Sequence, residues 1–193
     1  MAVCRPWILV AVLLLQFRRS YPEIQLKGGQ TQGSLLLAFI TGLGVFGIWI
    51  LPGLMKWDYP PLPLLSQPSE FNPYVELPSK GSAMVWIGFR LFGAAVVVPV
   101  MEELFWRSFL LRYLIQPDFK SVPIGAFSWL SFGATVLLFG VEHHQWLVGL
   151  FAGIIYNLLL YRTKSIFACI LAHAITNLAL GVYVLATLQW GYW

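Results

Sequence analysis

Between Ser34 and Leu51 the chain runs eighteen residues without a charged side chain. Further apolar runs follow at Ser82–Met101, broken only by Arg90, and at Val122–Gly140, Trp146–Tyr161 and Ile166–Trp190. About 20 apolar residues of helix cross a bilayer core, and in lipid a helix satisfies its own backbone hydrogen bonds. The composition agrees: 59% of the residues are apolar and 10% charged, against about 25% charged in soluble domains. The expected fold is therefore all-α, a polytopic transmembrane bundle of about six or seven membrane-embedded helices in one domain, 1–193. Its motif-bearing core falls at 82–190.

The connecting segments refine this. Trp7 to Phe17 is apolar but short, and Arg18-Arg19 closes it. It reads as a short or tilted span, as a signal peptide without a small-residue cleavage site, or as the remnant of a longer start. Gly42, Gly44 and Gly47 suit close helix contact. Seven prolines between Pro52 and Lys80 predict an extramembrane loop at 52–80. Its Trp57, Tyr59, Phe71 and Tyr74 are placed at the membrane interface. Cys4 and Cys169 are far apart in apolar surroundings and form no expected disulfide or metal pair.

The net charge of +4 is spread over the connections. It bears on orientation and gives no nucleic-acid footprint. If 102–116 makes no crossing of its own, one side of the membrane holds Arg18, Arg19, Lys27, Arg112, Lys120, Arg162 and Lys164. The other holds Arg5, Lys56 and Lys80, and the richer side is expected to be cytoplasmic.

The chemistry-bearing residues sit inside apolar runs, where ionisable groups are costly and mark functional cavities. Glu102 and Glu103 end one run, with Arg107 four residues after Glu103. On a helix Glu103 and Arg107 share a face and can pair, while Glu102 is rotated by roughly 100° and left for other work. Phe139 and His143 have the same i,i+4 spacing, as do His173 and Asn177. For His144, interhelical hydrogen bonding is the simpler role. A buried carboxylate, two imidazoles and an amide are tolerable only if they satisfy one another. Together they supply what acyl transfer needs: groups that activate a water and donors for an oxyanion.

Other hydrolytic signatures are missing. No His-Glu-x-x-His or Gly-x-Ser-x-Gly occurs, Ser128 and Ser131 lack a supporting histidine, and Asp58 and Asp118 lie in loops. A proton-coupled transporter would also use buried Glu and His, but repeat symmetry is expected there and none is visible. Zinc held by Glu102, His143 and His173 is the alternative to a metal-free site. Against it stand ligands on three separate spans and Asn177, a better oxyanion donor than zinc ligand.

Glu102-Glu103-x-x-x-Arg107, Phe139-x-x-x-His143 and His173-x-x-x-Asn177 together resemble the three-motif signature of the CAAX prenyl protease (CPBP, or Abi) family of intramembrane endopeptidases. The resemblance extends over Leu150-Phe151-Ala152-Gly153 and Ile170 to Asn177. The Tyr21-Pro22-Glu23 segment and the proline loop are similar to CAAX-protease-related proteins of bacterial exosortase systems. The resemblance implies Glu102 as the water-activating base, with His143 sharing that task. It also implies His173 and Asn177 as oxyanion donors, Glu103 and Arg107 as the pair orienting the motif helix, and Phe139 in support. It implies a membrane-anchored protein or peptide substrate, the bilayer as surroundings and a bacterial inner membrane location. A non-proteolytic immunity or scaffold protein that binds partner helices is the competing class.

Overall fold

The computed structural model describes residues 5–24, 32–57 and 70–192. Cys4, Lys27, Asp58, Tyr59 and the proline-rich stretch 58–69 lie outside the described residues. Seven α-helices are present among the described residues: α1 (Arg5–Gln16), α2 (Gln32–Leu54), α3 (Pro73–Glu76), α4 (Lys80–Tyr113), α5 (Trp129–Glu142), α6 (Trp146–Thr163) and α7 (Ile166–Thr187). Of these, α2, α4, α6 and α7 are long and apolar enough to cross a membrane. The chain is an all-helical integral membrane protein.

Local chemistry sets the helix starts. Ser79 and Ser82 form a reciprocal capping box at the head of α4. Ser128 caps α5 by accepting from the Ser131 N–H, and Ser165 caps α7 by accepting from the Ala168 N–H. The intramembrane serines noted in the sequence are thus accounted for as a cap. The span expected from Val122 begins only at Trp129, because Pro123 and Gly125 (φ +73°) hold 122–128 in a turn. Lys164, itself left-handed at φ +53°, donates from Nζ to the Gly125 carbonyl at 2.5 Å and fastens that turn to the end of α6.

The proline at 52 does not end α2, which continues to Leu54. Asn72 caps the short α3 inside the expected loop. Phe71 packs on Trp86 (ring centroids 4.8 Å) and Tyr74 on Trp190 (5.9 Å), so these aromatics are tied to α4 and the C-terminal turn. The last helix stops at Thr187, where Leu188 turns left-handed (φ +58°) and folds Trp190–Tyr192 back as a 3₁₀ turn. Helix α1 is twelve residues long, about 18 Å, too short to cross alone. Its Ala11, Leu14 and Leu15 face Phe92, Val96, Val97 and Val100 of α4.

The most extensive pairings are α2 with α7 and α5 with α6. Both depend on missing side chains. A Cβ on Gly42 would stand 2.5 Å from the Ala172 carbonyl oxygen and 2.8 Å from Ile175 Cβ, whereas Gly44 and Gly47 have open space. Of the three glycines expected at a helix contact, only Gly42 makes one. In the second pairing Gly140 faces Leu150 and Gly149 faces the Gly140 backbone, each leaving no room for a Cβ without displacement.

This crossing generates a test. Gly42→Val forces α2 away from α7 and should cost about 1–3 kcal/mol, the range for overpacking. Gly44→Ala, pointing into open space, should stay within about 0.5 kcal/mol of wild type. Thermal unfolding in detergent separates the two, and equal stability would remove Gly42 from the contact.

Candidate active site

The site is organised by α4, which departs twice from α-helical register. Gly93–Val97 and Leu104–Leu110 are π-helical turns, features that concentrate at functional sites. In the first, the Val98 N–H bonds the Gly93 carbonyl, five residues back. In that register the next acceptor, Ala94 O, would fall to residue 99, but Pro99 has no N–H. The vacated carbonyl is taken by Asn177 of α7, whose Nδ2 donates to Ala94 O at 2.8 Å. A backbone irregularity and a motif side chain thereby satisfy each other.

Glu103 is fully buried and its Oε1 takes two donors, Arg107 Nη1 at 3.2 Å and His173 Nδ1 at 2.8 Å. The Arg107 guanidinium, 1% exposed, lies 4.4 Å above the Phe139 ring and 5.3 Å from the Tyr156 ring. Charge and π faces together make its burial tolerable. The expected Glu103–Arg107 pair is present, and the same carboxylate also holds the His173 imidazole.

Glu102 turns the other way, into a cavity of about 200 Å³ that it shares with Trp49, His143, Tyr156, His173 and Asn177. Its Oε2 is buried with no hydrogen-bond partner among the described residues. At the end of α5, His143 bonds through Nδ1 to the Phe139 carbonyl at 2.7 Å. A carbonyl only accepts, so Nδ1 carries the proton and Nε2 remains for the cavity. The Phe139 ring lies 4.6 Å from His143, and Trp49 meets the imidazole edge-on at 5.2 Å. Across the cavity, His173 stacks on Tyr156 (5.3 Å, 24°) and is 5% exposed.

Glu102, Phe139, His143, His173 and Asn177 therefore line one space, with Glu103 and Arg107 beneath it. His144 is exposed in the bend after α5, which corrects the interhelical role expected for it. Glu142 is also exposed. Among the described residues no group of three or more His, Cys, Asp or Glu side chains is arranged to hold a metal ion. The alternative trio Glu102, His143 and His173 is thus not gathered as a ligand set.

Sequence reasoning missed Trp49, Tyr156 and Thr176. Tyr156 donates to Thr176 Oγ1 at 2.8 Å, and Thr176 lies 2.8 Å from the Gly42 carbonyl, tying α6, α7 and α2 behind the imidazole. The available signal was polarity in mid-span: a buried hydroxyl needs a partner. A second polar cluster was also unforeseen. Glu23 accepts from the Ser108 hydroxyl and from Arg112 Nη2, the latter at 3.3 Å, which clamps the segment after α1 to the end of α4.

The buried triad yields a quantitative expectation. Arg107→Ala leaves Glu103 with an uncompensated charge and should cost about 3–5 kcal/mol of stability. Adding Glu103→Gln should restore part of that loss. A detergent melt of the double variant no better than the single one would contradict the pairing.

No curated protein and no solved structure matches the chain. Residues 84–179, the stretch that carries Glu102, His143, His173 and Asn177, match the family model described as type II CAAX prenyl endopeptidase Rce1-like. By this match the chain belongs to the CAAX prenyl protease (CPBP) family of membrane endopeptidases.

Proposed function

We propose that the chain hydrolyses a peptide bond near the membrane anchor of a protein or peptide substrate, with Glu102 as the principal base. The observation that carries this reading is the partnerless, buried Glu102 oxygen in the cavity that also receives the free Nε2 of His143. A water between them loses its proton to Glu102, with the neutral His143 Nε2 accepting from the same water. The resulting hydroxide attacks the scissile carbonyl carbon.

The oxyanion that develops is met from the opposite wall. Asn177 spends one amide hydrogen on Ala94 and keeps its second for the cavity. His173 donates from Nδ1 to Glu103, so donation from Nε2 as well requires the imidazolium. In that state Glu102 and Glu103 balance Arg107 and His173, and the buried set is neutral. Preorganised donors of this kind are worth about 10²–10³ in rate each. Collapse of the tetrahedral intermediate breaks the C–N bond, and the proton held by Glu102 passes to the leaving amine.

The reading is metal-independent, since Glu102, His143 and His173 are not gathered as a ligand set among the described residues. Family membership supports the endopeptidase class. The Tyr21-Pro22-Glu23 segment supports placement beside the exosortase-associated relatives in a bacterial inner membrane.

Peptides in membrane fractions from cells expressing the wild type or Glu102→Gln provide the test. New termini present with the wild type should fall by about 10²-fold or more with Glu102→Gln and with His143→Ala, while His144→Ala leaves them in place. Cleavage should survive prolonged chelation, with less than one zinc per chain. An unchanged peptide pattern in Glu102→Gln would favour the scaffold class. One zinc per chain, lost together with activity and restored with it, would overturn the metal-free mechanism.

A further inference from the structure

We infer that the cavity opens on the extracytoplasmic side of the membrane, so that the site receives its substrate segment from that side. The argument begins with α4, a single helix of 34 residues, about 51 Å long. It leaves no separate crossing between Glu102 and Gln116, and the two ends of the bundle sort without ambiguity.

At one end, Arg19, Glu23, Arg112 and Lys120 surround a common pocket, and Lys164 reaches the Gly125 carbonyl. The described connecting segments at this end carry Arg18, Arg19, Lys120, Arg162 and Lys164. At the other end Lys56 follows α2 and Lys80 opens α4. Tyr192 of the C-terminal turn reaches the Ile50 carbonyl there, at 3.5 Å. Arg5, at the far end of α1 from Arg18, completes this sparse set. The Lys/Arg-rich end is the cytoplasmic one.

The cavity is closed towards that rich end and open towards the sparse one. Beneath Glu102 and His173 lie Glu103, Arg107, Trp106, Leu111, Leu160 and Ile166, none more than 7% exposed. The rim at the other end is formed by partly exposed Trp49, Arg90 and Tyr192. Arg90 stands twelve residues before Glu102 on α4, about 18 Å nearer the Lys80 end. A polypeptide reaching Glu102 therefore passes Arg90 and Tyr192 first. Resting on the hydrolase reading, the substrate class is a membrane-anchored chain whose scissile segment lies at the extracytoplasmic interface. A chain end exposed only to the cytoplasm would meet the closed core.

Cysteine labelling of the full chain tests this independently of activity. In a Cys4→Ser, Cys169→Ala background expressed in a bacterial host, Lys80→Cys, Lys120→Cys and Ala94→Cys are treated with a membrane-impermeant maleimide. Intact spheroplasts and inverted vesicles are compared. In spheroplasts, Lys80→Cys and Ala94→Cys should label at least about tenfold more than Lys120→Cys, with the order reversed in inverted vesicles. If Ala94→Cys does not accumulate, Leu180→Cys reports on the same cavity. Labelling of Lys120→Cys from outside would overturn the orientation. Labelling of the cavity position from the Lys120 side, or from neither side, would overturn the opening. A chain that labels as expected but cleaves nothing would leave the orientation standing and count against the hydrolase alone.

Discussion

One carboxylate oxygen, Oε1 of Glu103, holds the site together. It stands at the meeting point of a guanidinium on its own helix and an imidazole seventy residues later. A charged carboxylate sealed in the core, with neither a partner nor a cavity that admits water, would be prohibitive in a membrane interior. The helix bearing Arg107 and the helix bearing His173 must therefore both be docked before Glu103 can be buried in charged form. Arg107 in turn lies over Phe139 and Tyr156, so α5 and α6 are brought to the same centre. Four of the helices that carry the site thus depend on one ion cluster, and Glu102, its sequence neighbour, is the carboxylate released from this duty.

Backbone irregularity contributes the second constraint. In α-helical register the Val98 amide would occupy the Ala94 carbonyl, and Pro99 would leave open the Ala95 carbonyl instead, about 100° round the helix. The π turn combined with Pro99 exposes Ala94 O at the level of Asn177. The second π turn, 104–110, contains Arg107 and alters the rotation at which the end of α4 presents it. Both distortions lie in the helix that bears the chemistry, and each is matched by a contact to another element.

Much of this was legible in the sequence, for physical reasons that differ by residue. The Glu103–Arg107 pair followed from helical spacing, and the membrane class from runs such as Ser34–Leu51. The convergence of His143 and His173 on one space followed from the cost of burying them apart. Which carboxylate His173 engages was not legible, because it depends on the rotation of α4 after its first π turn. Prolines point both ways: Pro52, at the head of the expected loop, sits within α2, and Pro123, inside the span expected from Val122, delays α5 to Trp129. Trp49 is hidden because a hydrophobic run does not declare which of its members turns inward, whereas Tyr156 and Thr176 carry only the weaker signal of a hydroxyl in mid-span.

The proposed mechanism requires a doubly protonated His173 beside Glu103 and a neutral His143 with its proton on Nδ1, and both are directly measurable. In ¹⁵N-histidine-labelled protein reconstituted in lipid, solid-state NMR reports the protonation of each ring nitrogen. The account predicts an imidazolium signal from His173 that becomes a neutral ring in Glu103→Gln, with the His143 signals unchanged by that substitution. A neutral His173 in the wild-type protein, or one indifferent to the loss of the Glu103 charge, would contradict it.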